Sequence, residues 1–125
     1  MFDEGLYTFL VSAATSAGNR VKPMRLPQGL RLPAIVYSEV SPGIEYTQGG
    51  ESSVKEPRYQ LDCWGADELA SKTLASEVVL AMSNYNGLMG SEQVFSAFIE
   101  GKMDDPDPDT GRCRVIIDVV IQHKR

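Results

Sequence analysis

The most regular hydrophobic pattern in this chain is a β-branched run near its end, at residues 112–123. In an extended conformation the apolar residues of this run share one face with Cys113, whereas charged and apolar residues mix on the other face. Valine and isoleucine pack well on a pleated surface, so the run predicts a strand. Because its first face is wholly apolar and needs a cover, we expect a central strand with helices on that face.

Two longer segments have the period of amphipathic helices. The first spans about residues 3–17, with Asp3 as a suitable N-cap and Gly18 as a stop signal. The second spans about residues 68–85, with Asp67 as its N-cap and an apolar stripe rich in alanine. These small side chains predict that the second helix lies close against the sheet.

Shorter apolar runs predict further strands at residues 32–40, 58–64 and 94–100. Residues 20–26 form a short extended segment that belongs at a sheet edge or is irregular, since Pro23 lacks a backbone donor. The most polar stretch, residues 41–57, is predicted as a long loop or a hairpin tip between two strands. Residues 101–111 are predicted as the turn that joins the last two strands.

These elements predict an α+β fold in a single domain over residues 1–125. Its two helices pack on one face of a four-stranded sheet, with the long loop between strands. The sheet is antiparallel, or mixed if the connection through the second helix makes one strand pair parallel.

The net charge of the chain argues against one class of partner, namely nucleic acids bound through their phosphate backbones. The formal net charge is −5 and the isoelectric point is about 4.8, which argues against a broad basic surface for phosphate backbones. A local basic cluster stands out against this balance, and it consists of Arg20, Lys22, Arg25 and Arg31.

Reactive side chains are few. His123, the only histidine, is expected to be solvated near the end of the chain. Cys63 and Cys113 are expected to be buried thiols on apolar strand faces, and a cross-strand disulfide is open if their strands are neighbours. This set builds neither a zinc site nor a nucleophile–base pair.

Acidic side chains suggest two further sites, and neither pattern is convincing. Aspartates 105, 107 and 109 lack the spacing of a calcium loop, because Thr110 precedes the glycine and Ile116 replaces the final glutamate. Asp62 and Asp118 both point outward from strands, where they either form an acid pair or line a solvated surface beside Arg58 or Arg114. We therefore expect no enzyme, metal or cofactor.

Targeting signals are also not expected. No apolar run approaches the length needed to cross a bilayer, and the start of the chain lacks the basic region of a signal peptide. The sequence predicts a product of the cytoplasm, and on chemistry alone an α+β interaction domain.

An ordered set of short motifs carries a resemblance to a known family. The set consists of an N-terminal helix, Arg20-Val21, Leu26-Pro27-Gln28-Gly29, Leu32-Pro33-Ala34-Ile35-Val36-Tyr37, Gln60-Leu61-Asp62-Cys63-Trp64-Gly65, an alanine-rich helix, and Asp109-Thr110-Gly111 before Arg114. It resembles the tail completion, or tail terminator, proteins of long-tailed bacteriophages with flexible tails.

The resemblance implies a structural virion protein without catalytic residues or cofactors. Such a protein is similar to others that form a homohexameric ring on the head-proximal end of the tail tube, where it stops tube polymerisation and offers a surface for head–tail joining. Its implied partners are further copies of itself, the tail tube protein and the head–tail connector protein. DNA passes through the ring without sequence-specific binding, and we hypothesise that an acidic channel lets it slide. The implied location is the virion tail, after synthesis in the cytoplasm of a bacterial host, with no membrane partner.

Within such an assembly, three segments are the candidate contact surfaces. The polar loop is the first, because a long glycine-punctuated segment can become ordered on a partner, although a tolerated surface excursion is an equally good interpretation. The acidic tip before the last strand is the second. The basic cluster is the third, and it either pairs with acidic residues of an adjacent subunit or forms a solvated edge. The candidate residues are Gly43, Glu45, Tyr46, Gln48, Glu51, Lys55, Asp105, Asp107, Asp109, Arg20, Lys22 and Arg25.

Two other classes of function are compatible with the sequence. One is another head–tail connector or a minor tail component of the same assembly. The other is a small α+β ligand-binding domain or enzyme unrelated to viruses, which would show an apolar pocket of ligand size.

Overall fold

A computed structural model describes residues 2–13, 15, 17–18, 20–24, 29, 31–41, 46–47, 50–51, 54–90, 92–106 and 112–124. The helices are α1 (Phe2–Ser12) and α2 (Glu68–Met82). The strands are β1 (Val21–Pro23), β2 (Ala34–Ser41), β3 (Tyr46–Thr47), β4 (Gly50–Glu51), β5 (Val54–Lys55), β6 (Arg58–Gly65), β7 (Gly87–Met89), β8 (Glu92–Pro106) and β9 (Cys113–Lys124).

The main sheet follows the order β1-β2-β6-β9-β8-β7 among the described residues, and β5 pairs with β9 beside β6. Strands β1 and β2 run parallel, and the other pairs are antiparallel. The α+β class and the mixed-sheet alternative are therefore confirmed, although the parallel pair is not the one that α2 connects. The prediction of four strands is wrong, because the path contains six.

Strand β9 is the centre of the sheet, as its β-branched sequence predicts. It lies between β6 and β8 and pairs with them along almost its whole length. Val115, Ile117, Val119 and Ile121 are fully buried or nearly so on one face, whereas the residues between them are half-buried. The alternation follows from the strand geometry, which sends successive side chains to opposite faces.

Strands β5 and β6 behave as one interrupted strand along β9. Val54 pairs with Lys124 and Arg58 pairs with Val120, so the register is the same on both sides of the interruption. Pro57 ends the ladder locally, but its carbonyl still accepts a hydrogen bond from Ile121 N at 3.1 Å. Because of this continuity, β9 has a paired strand on this side up to Lys124.

Helix α2 covers the centre of the inner sheet face. Asp67 caps it, as predicted, by accepting a hydrogen bond from Ala70 N at 2.8 Å. The side chains of Leu74, Val78 and Met82 are fully buried against β6, β8 and β9. Gly65 permits a close approach, because a Cβ there would lie 2.9 Å from both the carbonyl carbon of Ala70 and the Cα of Ser71.

Helix α1 differs in its placement from the prediction that both helices pack on one face of the sheet. It contacts β1 and β7, which are the two end strands of the curled sheet path, and does not lie beside α2 on the central strands. Leu6 and Leu10 still join the same core as α2. The two helices thus share a core, while each packs against different strands.

Both helices end earlier than their sequence patterns indicate. In α1 the hydroxyl of Ser12 donates to Phe9 O at 3.0 Å, and hydroxyl side chains compete with helical backbone bonds. After α2, Ser83 is extended and Asn84 has a positive φ of 57°. Asn84 N donates to Ala97 O of β8 at 2.9 Å, so contact with the sheet ends the helix.

Strand β8 corrects the predicted turn at residues 101–111. It runs from Glu92 to Pro106, where Gly101 pairs with Asp118 and Pro106 pairs with Cys113. Its charged residues do not alternate with apolar ones, so their extended conformation follows from pairing with β9. The short strand β7, which pairs with Glu92, Gln93 and Val94, was not predicted.

The polar stretch at residues 41–57 includes the hairpin that we offered as one of two interpretations. Within its described part, β3 and β4 form a separate antiparallel pair in which Tyr46 lies opposite Glu51. None of the described helices has the length and apolar character that a bilayer crossing requires.

Candidate functional site

The face of the sheet opposite the helices is the surface with the most chemical variety. We call it the outer face, and it carries the alternate residues of β9 together with their cross-strand neighbours. The register places Arg114 between Trp64 and Asp105, and Ile116 between Asp62 and Met103. Further along, Val120 lies between Arg58 and Phe98.

Arg114 joins two carboxylates from different strands. Its Nη1 donates to Asp62 Oδ2 at 3.2 Å, and its Nη2 pairs with Asp105 Oδ2. Asp62 is only 8% exposed and also accepts a hydrogen bond from Gln60 Nε2 at 2.9 Å. The pairing of Asp62 with Arg114 was one of the predicted alternatives, but Asp62 is buried instead of solvated.

The electrostatic setting keeps Arg114 charged. Burial by itself would lower the pKa of Arg114, but the hydrogen bonds and charges of Asp105 and Asp62 outweigh it and raise that pKa above its ordinary value. Its Nε is buried and has no hydrogen-bond partner among the atoms that the structure describes. The guanidinium is therefore held in place by the two carboxylates at its Nη atoms.

Trp64 forms an aromatic platform beside this ion-pair cluster. The guanidinium carbon of Arg114 lies 5.1 Å from the centre of the indole, and that of Arg112 lies 5.7 Å from it. Both distances are within the range of cation–π attraction. Tryptophan and arginine are the residues that most often dominate binding energy at protein interfaces.

Apolar side chains on the same face are open to solvent. Phe98 is 48% exposed and Met103 is 60% exposed, and each lies opposite a half-buried residue of β9. Phe95, also on β8, is 42% exposed. A mixture of exposed aromatic, methionine and arginine side chains is typical of a protein–protein contact surface.

Polar contacts organise the remainder of the outer face. Ser96 Oγ donates to Gln122 Oε1 at 2.8 Å, and Gln122 Nε2 donates to Glu56 Oε1 at 2.7 Å, which links β8 and β9 to the segment between β5 and β6. Arg58 forms an ion pair with Glu100 across β9. These contacts pre-organise the surface without using its apolar groups.

A small cleft lies where the start of α2 meets the end of the β8–β9 ladder. Its volume is about 220 Å³, and it is lined by Glu68 and Lys72 of α2 and by Asp104, Asp105 and Arg114 of the sheet, among others. The cleft is smaller than typical ligand sites, and five of the eight residues that line it have charged side chains.

The predicted contact residues lie in separate places. Arg20 donates from Nε to Pro33 O at 2.8 Å, Lys22 lies on the end strand β1, and Lys55 is half-buried opposite His123. Asp105 joins the Arg114 cluster, while the backbones of Tyr46 and Glu51 are paired in the β3–β4 hairpin. Outside the described residues lie Gly43, Glu45, Gln48, Asp107, Asp109 and Arg25.

Trp64, Arg112, Phe98 and Met103 were not among the predicted contact residues. For Trp64 the available signal is the alternation of apolar and polar residues along β6 and β9, which puts Trp64 and Arg114 on the face opposite the core. Reading that signal requires knowing that the two strands are neighbours.

Two predictions about reactive side chains need correction. His123 is only 6% exposed, because β9 continues through its position between β5 and β8.

Cys113 is half-buried, whereas Cys63 is fully buried, and both are free thiols. Their strands are neighbours, but Cys63 pairs with Val115 and Cys113 pairs with Gly65, so the two thiols are not opposite each other. Burial first, and then the charge of Asp62, raise the pKa of Cys63 to about 12.

In the described part of the chain, no three histidine, cysteine or carboxylate side chains form a group that could hold a metal ion. A two-layer α+β fold with a pre-organised, partly apolar outer face instead defines the class of protein that works by contact with other chains.

Comparison with known proteins gives this class a family. The model of the family "Tail completion protein gp17" matches residues 6–123, so the chain belongs to that family. The chain is also similar in structure to a chain of the "Virion of native gene transfer agent (GTA) particle". That similarity has a TM-score of 0.64 at 13% sequence identity and covers 93% of this chain and 84% of the other, which shows a shared fold. A search of curated protein sequences found no match.

Membership of the family makes the chain a structural component of a phage-like virion tail that associates with other virion proteins. The resemblance in the short motifs of the sequence is thereby confirmed.

Proposed function

We propose that this protein is a tail terminator that caps the head-proximal end of the tail tube. Copies form a ring, most simply a homohexamer, which ends tube polymerisation and presents a surface to the head–tail connector. DNA passes through the ring without sequence-specific binding. The observation that carries this proposal is the family match over residues 6–123, and the outer face supplies a surface suited to such contacts.

The physical task of a cap agrees with a fold that has two dissimilar sides. A growing tube exposes strand edges and apolar surface at its end, and a terminator must match that end. Its other side must differ, because an identical side would let growth continue. The helical layer and the outer face of this chain are chemically different, so one side contacts the tube protein and the other side contacts the connector.

Removal of the gene from its phage tests the proposal by electron microscopy of the particles. We expect tail tubes of uncontrolled, excessive length and heads without tails. Tails of normal length together with heads that leak DNA would contradict the terminator role and favour a head–tail connector. Complementation with the intact gene is the control, since it must restore both tail length and attachment.

A further inference from the structure

One carboxylate of the outer face stands apart from the others. Asp118 lies half-buried in the middle of β9, and it makes no hydrogen bond or ion pair in the described part of the chain. The other carboxylates that the described strands carry on this face are paired, namely Asp62 and Asp105 with Arg114, Glu100 with Arg58, and Glu56 with Gln122.

The neighbours of Asp118 on the outer face explain its isolation. On β6 it lies opposite Gln60, whose side-chain amide donates to a different carboxylate at 2.9 Å. On β8 it lies opposite Gly101, which has no side chain. Along β9 the next residues on the same face are Ile116 and Val120, and both are apolar. None of these described neighbours neutralises the carboxylate.

The missing side chain at Gly101 opens a notch beside this carboxylate. A Cβ at Gly101 would meet a single heavy atom within 4 Å, which is Oδ2 of Asp118 at 3.7 Å. Phe98 and Met103 flank the glycine on the outer face, since each lies opposite an outer-face residue of β9, and both are exposed. We call this feature the Asp118 notch, which has a carboxylate at its floor and apolar walls.

A partner that covers the apolar walls also removes water from the floor. In the proposed function another virion protein packs on one side of this chain, and Phe98 and Met103 are the apolar groups that the outer face offers it. An ionised carboxylate that loses water without gaining a cation or a donor is strongly disfavoured. The partner therefore has to bring a positive charge to the position of Asp118.

The shape of the notch favours one type of cation. A guanidinium group binds a carboxylate through two parallel hydrogen bonds, is more weakly hydrated than an ammonium group, and packs well against aromatic side chains. Phe98 supplies an aromatic wall beside the carboxylate, and Met103 supplies a polarisable one. An arginine side chain matches this setting better than a lysine side chain does.

We propose that an arginine of another virion protein inserts into the Asp118 notch and pairs with its carboxylate. This inference rests on the proposed contact of the outer face, and it names the chemistry of the partner. Contact between the outer faces of two copies does not supply the arginine. In the described part of that face Arg58 and Arg114 already form ion pairs, and Arg112 lies over an indole.

Changes of charge at the floor of the notch test the proposal in a phage that carries the variant gene. We expect Asp118→Arg to lower the infectious titre by about tenfold or more, because it opposes two cations in a dry contact. Asp118→Asn should lower it less, and Asp118→Glu is the control that keeps the charge. Thermal unfolding of the purified variants should stay close to the wild type, because Asp118 has no partner to lose in the described part of the chain.

Filling the notch tests the same contact without a change of charge. Gly101→Val places a branched side chain where the arginine would enter, so we expect a fall in titre although Asp118 is intact. Gly101→Ala is the matched control, because it adds one carbon at ordinary contact distance from Asp118 Oδ2. The backbone of Gly101 is outside the left-handed region, so both substitutions are compatible with the strand.

Second-site suppressors of Asp118→Arg identify the partner. We expect changes that replace a basic residue, an arginine in our proposal, by a neutral or acidic one in another virion gene. Three outcomes overturn the inference: an Asp118→Arg phage as infectious as the wild type, a Gly101→Val phage as infectious as the wild type, or suppressors that all lie in this chain. The last outcome would assign the cation to a second copy or to an internal partner such as Arg58.

The gene-removal experiment is independent of these results. A terminator whose outer face takes no arginine still gives overlong tails when it is absent, so failure of the notch and failure of the terminator role are distinguishable.

Discussion

At the scale of single residues, Arg114 is where the polar contacts of the outer face converge. It holds Asp62 and Asp105 from two flanking strands and stacks beside Trp64. Its position on β9 follows from the alternation of that strand, which leaves every second residue outside the core.

Replacing Arg114 by leucine should destabilise the fold, because the nearly buried carboxylate of Asp62 loses its cation. We expect the free energy of unfolding to fall by about 1–3 kcal/mol, as for other buried acceptors that lose a partner. Urea denaturation measures the change. The double variant Arg114→Leu/Asp62→Asn should recover part of the loss, and additive effects of the two changes would contradict a direct interaction.

Cys63 provides a prediction about alkaline pH. Its pKa is raised from 9.0 to about 12 by burial, so above pH 9.0 the unfolded chain releases a proton that the folded chain keeps. The unfolded state then binds fewer protons, and the free energy of unfolding falls by up to about 1.4 kcal/mol per pH unit between pH 9.0 and 12. Below pH 9.0 the thiol has no such effect.

Denaturation of the wild type and of Cys63→Val at pH 8, 9.5 and 10.5 checks this difference, because the other titrating groups are common to both proteins. The gap in stability should shift in favour of the variant as the pH rises. Parallel pH profiles would show that the Cys63 thiol ionises equally in the two states.

At the scale of elements, the contact between β6 and α2 depends on the absence of a side chain at Gly65. A Cβ there would press on the backbone of Ala70 and Ser71, and backbone atoms cannot move aside as a flexible side chain can. The alanine-rich sequence of α2 predicted a close approach to the sheet, and the packing at Gly65 confirms it.

Gly65→Ala should therefore lower the free energy of unfolding by about 2–4 kcal/mol, as overpacked sites do. Gly101→Ala is the matched control, because a Cβ at that strand position meets only Asp118 Oδ2, at 3.7 Å. Thermal or urea unfolding compares the two variants. Equal stability of both would mean that α2 shifts away from the sheet at little cost.

The strands show where reading the sequence succeeds at this scale and where it fails. The core strand β9 was predicted almost to the residue, since its β-branched alternation is a local property. Strand β8 was cut short at residue 100, since Lys102, Asp104 and Asp105 resemble a turn until β9 pairs with them. His123 was wrongly placed in solvent because its burial depends on β5 and β8, which are distant in the chain.

At the scale of the whole molecule, the protein has a helical side and an outer face, and the outer face carries Phe98 and Met103 in the open. If this face contacts another virion protein, a charge on it should block assembly while sparing the fold, because the two residues contribute little to the core.

The variants Phe98→Glu and Met103→Glu should melt close to the wild type but yield fewer infectious particles when they complement a phage that lacks the gene. A contact that loses about 2 kcal/mol weakens roughly 30-fold. Leu80→Glu, at an 84% exposed position on α2, is the matched control for the melting temperature, because it adds the same charge at another exposed apolar residue. Full infectivity of both outer-face variants would remove this face from the assembly contacts.

The candidate surface was predictable only in pieces. Arg114 and Asp62 were recognised as a possible pair, and the basic cluster was visible as a run without acids. The grouping of Trp64 with Arg112 and Arg114 depends on the pairing of β6 with β9. That pairing joins residues about fifty positions apart, and no local sequence pattern predicts it.

The amino-acid sequence by itself determined the class of fold, the central strand, the start of α2 and the family. These features reside in periods and motifs that neighbouring residues encode. Only the tertiary structure decided the six-strand order, the length of β8, and the burial of Asp62 and His123. The burial of a side chain and its distance from others depend on which strands pair, and the packing of the whole core decides that pairing.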